Sequence, residues 1–304
     1  MRFTKMHGLG NDYVVLGFRE SPSLKIECEG SDSPVKLDMD FSGLSKRLCN
    51  RYFGIGADGL IAVMPSDIYD FRMRIFNIDG TEAEMCGNGI RCATKYFIEN
   101  LMDSDRLPAG DEPVTVDVQT MAGKRTVVAD VKNGIVGMMT VNMGIPILEP
   151  SMIPVDVETV RAVDVPIDIN GETFVATCVS MGNPHAVIFL EEDVSEMDIS
   201  AAGPAIEEHP LFPNKTNVEF TNVNSEKELT MRVWERGVGE TLACGTGACA
   251  TLVAANLTDR TGREAVLHLR GGDLHIEWTG SDEIMMTGPA ETVFSGEIED
   301  PLRD

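Results

Sequence analysis

The sequence contains no apolar run approaching the length of a membrane span, so no transmembrane helix is expected. Basic residues are scarce: 25 Lys and Arg stand against 49 Asp and Glu, for a formal net charge of −24. That balance argues against nucleic acid and anionic membrane as partners, and reads as a solvated acidic exterior. Histidine occurs only 5 times and no Cys-x-x-Cys is present. Cys86/Cys92 and Cys244/Cys249 do not have the spacing of a structural zinc site, so no metal is expected. Cysteines number 7, too sparse for a disulfide scaffold, and the odd count favours reduced thiols. The glycine pairs in CGNG (86–89) and CGTG (244–247) lack the G-x-G-x-x-G spacing of a dinucleotide site. No lysine sits where a pyridoxal Schiff base is suggested. The opening MRFTKMHGLGNDYVVL reads as strand, turn and strand, not as a signal peptide, and a cytoplasmic location is expected.

What is present is a chain of 304 residues, 43% hydrophobic and 24% charged, as in soluble globular proteins. A chain of this size removes roughly 75% of its unfolded surface on folding, in one or two domains. Within it, one stretch occurs twice. At a shift of 158, FRMRIFNIDGTEAEMCGNG (71–89) lies without a gap on LTMRVWERGVGETLACGTG (229–247). Arg74 meets Arg232, Glu82 meets Glu240, and Cys86 meets Cys244. In both copies the cysteine precedes a glycine pair and then a long, mostly apolar run, so it stands at a helix start.

The rest of the chain can be aligned to the same plan. Residues 1–18 read as a hairpin broken at His7–Gly10, and 174–190 as its counterpart around Ser180–Asn183. Ser42–Tyr52 has helical spacing, with Leu44, Leu48 and Tyr52 on one face. FGIGADGLIAV reads as a turn and a buried strand, and Phe71–Asn77 as an alternating strand. The helix after Cys86 is expected to run to about Asp103. Val114–Val118 with Lys124–Val131, and Val266–Arg270 with Leu274–Trp278, read as hairpins. A polar insert at 19–40, carrying Cys28, reads as a surface excursion. Residues 1–137 and 138–287 form the two halves. The segment from 288 to 304 has no counterpart before Gly137, and its strand at 292–298 is expected to join the first half. The order of elements gives an α+β fold, each half a set of strands around one helix.

A helix start offers outward-pointing N–H groups and a positive dipole end, which favour thiolate and bind a carboxylate. Two copies about an approximate two-fold would direct Gly87-Asn88 and Gly245-Thr246 at one substrate carboxylate. Cys86 and Cys244 would then flank the attached carbon. Inverting a stereocentre by proton transfer needs a base on one face and an acid on the other, with the roles exchanged in reverse. The duller reading, a small buried cysteine before a helix, is preferred for Cys49, Cys92, Cys178 and Cys249. His185 alone would read as a satisfied core histidine, and Glu235 with Arg236 as a strand-end ion pair.

The motifs FTKMHGLGNDYVVL, FGIGADGL, RIFNIDGTEAEMCGNGIRC, VNMGIP, SMGNPHAV, WERGVGETLACGTGACA and MTGPAETVFSG, in that order, resemble those of diaminopimelate epimerase over nearly the whole chain. The resemblance implies two similar halves, each a barrel-like sheet about a central helix. It implies interconversion of LL- and meso-diaminopimelate in lysine and cell-wall precursor synthesis, with no cofactor and no metal. Cys86 and Cys244 then match the base and acid, and His185 and Glu235 the residues that tune them. Asn11, Asn77, Asn183, Asn217, Glu235 and Arg236 match substrate-binding positions, and Gly87, Asn88, Gly245 and Thr246 the main-chain donors. Arg236, opposite Ile78 in the other copy, suits a bidentate clamp on a distal carboxylate. Dimers are common in that family.

Two departures stand out. Some members carry Gln where this chain has Gly59, and the 19–40 insert is long. The nearest rival is a proline or hydroxyproline racemase-like two-cysteine isomerase, which places His where this chain has Asn88. A phenazine-type isomerase lacks the paired thiols, and a non-catalytic binding protein would not need them.

Overall fold

A computed structural model describes residues 1–20, 23–26, 35–108, 110–169 and 171–299. In chain order the elements are β1 (Arg2–Gly8), β2 (Asn11–Gly17), β3 (Ser23–Ile26), β4 (Val35–Asp38), α1 (Phe41–Leu48), β5 (Gly59–Met64), β6 (Phe71–Asn77), β7 (Glu82–Ala83), α2 (Gly87–Asn100), β8 (Val114–Thr120), β9 (Gly123–Lys132) and β10 (Ile135–Gly144). They continue with β11 (Val165–Ile169), β12 (Glu172–Ser180), β13 (Pro184–Phe189), α3 (Ile199–Glu207), β14 (Asn217–Ser225), β15 (Glu228–Glu235), β16 (Gly239–Thr241), α4 (Gly245–Leu257), β17 (Glu264–Leu269), β18 (Gly272–Trp278), β19 (Ile284–Gly288) and β20 (Glu291–Glu297). Two compact units share them. The first holds Met1–Gly8, Asp12–Met139 and the chain from Pro289; the second holds Leu9–Asn11 and Thr140–Gly288. The division falls inside β10, which passes Gly137 without a break because Val136, Met139, Val141 and Met143 are buried along it.

The fold is α+β, and each unit wraps strands around one buried helix. In the first, β2 runs parallel to β5, β5 antiparallel to β6, and β6 parallel to β8, which turns back into β9. In the second, β13 is parallel to β14, β14 antiparallel to β15, and β15 parallel to β17, which turns back into β18. The register matches too: Tyr13 faces Gly59 as His185 faces Asn217. The ion pair carried by the duplicated stretch is made twice, Arg74 Nε to Glu82 at 2.7 Å and Arg232 Nε to Glu240 at 2.8 Å. β20 pairs antiparallel with β1, and the chain from Pro289 groups with the first unit.

Strands covered on both faces need no polar side. All of β5 (GLIAVM) is buried: Leu60 and Ala62 pack in a core with Leu44 and Leu48 of α1, and α2 also packs on this strand. In the second unit Val218 and Phe220 pack with Ile199, Ala202 and Ile206 of α3, while α4 also packs on β14. Helix α4 is buried from Ala248 to Ala255, as a helix apolar all round must be.

Several expectations need correction. α1 ends at Leu48, and Tyr52 is not on its apolar face but 91% exposed, because the Asn50 side chain accepts the N–H groups of Tyr52 and Phe53 and turns the chain outward. α2 stops at Asn100, three residues earlier than its pattern suggests. α3 had no periodic signal: its run is small residues, with Pro204 inside. It is started by Asp198, which accepts from Ser200 N–H, and it lies so close to Trp234 that a Cβ at Gly203 would come within 2.6 Å of the indole. Of the 19–40 insert, β3 and β4 pair with each other, and Cys28 lies outside the described residues.

Candidate active site

Both cysteines cap their helices from an extended backbone, Cys86 at φ −142° and Cys244 at φ −123°. The ladders begin with Ile90 N–H to Cys86 O and Ala248 N–H to Cys244 O, each 2.9 Å. The N–H groups of Gly87, Asn88, Gly245 and Thr246 therefore come before the ladder, where a helix end can bind an anion.

In the first unit Cys86 is half-buried, and its Sγ lies 3.1 Å from the hydroxyl of Tyr13. Asn88 is buried. Its Oδ1 accepts from Arg91 Nη2 at 2.8 Å, and Arg91 Nη1 donates to Gly87 O at 3.0 Å. Asn77, at the end of β6, donates to Thr81 Oγ1 at 2.9 Å. Asn11 opens β2.

The second unit joins several expected residues in one chain of hydrogen bonds. Cys244 Sγ is 3.4 Å from Thr246 Oγ1, which accepts from Asn183 Nδ2 at 3.3 Å. Asn183 Oδ1 meets His185 Nε2 at 3.1 Å, and His185 Nδ1 meets Glu219 Oε1 at 2.7 Å. Asn217 is held at both ends, donating to Pro184 O at 2.8 Å and accepting from Arg236 N–H at 2.9 Å. Arg236 Nη1 donates to Asn214 O, and Glu235 accepts from Thr241 Oγ1 at 2.5 Å.

The expectation that a helix start would favour the Cys244 thiolate is overturned. Burial first, then the charges of Glu235 and Glu219, push this thiol well above its ordinary range. The Thr246 hydroxyl and Gly247 N–H pull the other way and do not offset them. A helix terminus contributes only about 0.3–1 kcal/mol, less than the cost of burying a charge near two carboxylates. Cys244 is thus held as a thiol, suited to giving a proton. Cys49, Cys92, Cys178 and Cys249 are all buried.

Three residues escaped the sequence reading. Glu219 sits in NVEF between two core residues, Arg91 within the apolar run of α2, and Tyr13 within a plain strand. The one local signal was Gly247: a Cβ there would lie 2.6 Å from Glu219 Oε1, so glycine admits the carboxylate beneath the start of α4. Among the described residues no cluster of three His, Cys, Asp or Glu is placed to hold a metal, and no helix is long and apolar enough to cross a membrane.

Comparison with known proteins gives consistent matches. A family model described as diaminopimelate epimerase matches residues 3–148 and 177–293. The diaminopimelate epimerase of Moorella thermoacetica is 49% identical over 299 residues, 98% of this chain and 99% of that protein. That of Desulfitobacterium hafniense is 48% identical over 303 residues, 99% of this chain and 100% of that protein. Among solved structures, a probable proline racemase from Agrobacterium radiobacter with bound carbonate superposes at a TM-score of 0.68 and 15% identity, over 99% of this chain and 94% of that one. A hydroxyproline epimerase from Agrobacterium vitis with bound trans-4-hydroxy-L-proline gives 0.66 and 14%, over 97% and 91%. At those identities the two structures share the fold alone.

Proposed function

The chain belongs to the diaminopimelate epimerase family, and on that premise we propose that Cys86 and Cys244 are the two proton-transfer groups of its reaction. The protein is an isomerase that interconverts LL- and meso-diaminopimelate, a step of lysine biosynthesis. The observation that carries the assignment of the thiols is their repetition: each unit caps its central helix with a cysteine followed by Gly-x-Gly.

In one direction the Cys86 thiolate removes the Cα proton and becomes a thiol. The Cys244 thiol delivers its proton to the opposite face and becomes a thiolate. The reverse reaction exchanges the roles, so proton count and charge balance without a cofactor. The Cα–H bond is far less acidic than a thiol, so the developing charge needs help. N–H groups of Gly87, Asn88, Gly245 and Thr246 supply it at the substrate carboxylate. His185 and Glu235 tune the two thiols; Asn11, Asn77, Asn183, Asn217, Glu235 and Arg236 bind the rest of the substrate. Thiols that must stay reduced suit a cytoplasmic location, and a homodimer is the assembly the family resemblance suggests.

The test is deuterium incorporation at Cα of LL-diaminopimelate in heavy water. Wild type should incorporate deuterium and form the meso isomer. Cys86→Ala and Cys244→Ala should fold and fail to epimerise. Epimerisation by either variant would remove that cysteine from the mechanism, and turnover of proline without diaminopimelate would favour the racemase reading.

A further inference from the structure

Tyr13 has no part in the roles assigned so far, yet its hydroxyl lies 3.1 Å from the sulfur of Cys86. The side chain is only 4% exposed, on the strand that runs beside β5, and faces Gly59 across the ladder. We propose that Tyr13 is a positioning residue for Cys86: its phenol donates a hydrogen bond to Sγ and fixes the sulfur where it exchanges a proton with the substrate. The inference rests on Cys86 being a reacting thiol.

The direction of the bond follows from the surroundings. Burial, and then negative charge on Cys86, push the Tyr13 phenol well above its ordinary range. The phenol therefore keeps its proton at neutral pH and has it to give. A donor to an ionised sulfur gains roughly twice what it gains from a neutral one, so the bond is strongest while the sulfur carries charge during proton transfer.

The second unit shows the contrast. By register His185 stands where Tyr13 stands, and Glu219 where Ile61 stands, two residues beyond Asn217 and Gly59 respectively. His185 turns its Nδ1 to Glu219, and burial, then Glu235 and Glu219, push Cys244 toward the protonated form. The first unit offers a neutral hydroxyl donor and an apolar side chain at the same two places. One backbone plan thus carries a setting for a base in one copy and for an acid in the other.

The experiment is alkylation of native protein by iodoacetamide, followed cysteine by cysteine by mass spectrometry, in wild type and Tyr13→Phe. Only the thiolate reacts. Loss of the donor should slow labelling of Cys86 at pH 7 by about fivefold to tenfold, with Cys244 unchanged. Tyr13→Phe should also lower kcat for epimerisation with KM unchanged. A loosened core would expose the thiol and speed its labelling, so slowing separates the donor role from a packing role. A Cys86 rate within about twofold of wild type, or faster, overturns the proposal. Cys86→Ala decides the premise separately: if that variant still epimerises, the assignment of Cys86 fails whatever Tyr13 does.

Discussion

Glu219 Oε1 and His185 Nδ1 form a hydrogen bond of 2.7 Å with neither side chain exposed to solvent. The pair anchors the chain of contacts that runs through Asn183 and Thr246 to Cys244. Its carboxylate adds to burial and to Glu235, which come first, in pushing that thiol above its ordinary range. Glu219→Gln keeps the shape and removes the charge. Cys244 should then be alkylated at lower pH than in wild type, and epimerisation should fall by about tenfold as the acid loses its tuning. Glu219→Ala should in addition cost about 1–3 kcal/mol in urea denaturation, because a buried imidazole loses its partner.

The other described cysteines are expected to be inert. Burial pushes Cys92 and Cys178 up to about 12 and Cys49 up to about 11. Native protein treated with iodoacetamide at pH 8 should carry no label at these three positions, and full label once unfolded. Cys86, half-buried, should react first among the described thiols. Peptide mapping reads all of them in one experiment.

Arg91 is fully buried and ties three places together: Gly87 O, Asn88 Oδ1 and, through Nε at 2.9 Å, Pro289 O ahead of β20. Arg91→Met should destabilise the protein by about 3 kcal/mol, since buried acceptors lose their donors. Arg91→Lys should not restore it, because one ammonium cannot reproduce the planar fork. Chemical denaturation gives the stability, and KM for diaminopimelate reports the displaced Gly87 and Asn88.

Acid stability should depend on Asp12. Burial raises its carboxyl, but hydrogen bonds from Lys5 and Arg51 outweigh that and hold it below the ordinary range. A folded value below the unfolded one means that stability is complete above the unfolded value, near 4, and is lost as pH falls through the folded one. Asp12→Asn should therefore be less stable at pH 7 and lose less on acidification below pH 4. Thermal unfolding of both proteins across that range measures the difference.

How much of this was legible follows from where each signal lies. A helix start is local: Cys86 and Cys244 could be placed from the glycines and the apolar run that follow them. The duplication was legible because an unbroken shift aligns Arg74 with Arg232 and Glu82 with Glu240, and those pairs do form. Glu219 was not legible. In NVEF the alternation of Val218, Glu219 and Phe220 reads as a strand with one face in water, yet α4 covers the face that Glu219 occupies. Arg91 misleads in the same way, since a charge on a helix reads as its wet side and α2 is enclosed by β1, β5, β6 and β9. Tyr52 errs in the opposite sense, an apolar-face residue by spacing that the turn at Asn50 leaves outside.

The sequence by itself determined the repeat, the strands and helices around it, the place of both thiols at helix starts and the family. Each of these depends on neighbours within a few residues or on direct alignment of one segment with another. Only the tertiary structure decided the state of Cys244 and the company each thiol keeps. Those depend on burial and on charges brought from other strands, Glu219 and Glu235 to Cys244, Tyr13 to Cys86. A side chain's proton affinity is set by what surrounds it in space, and no local pattern in the chain encodes that.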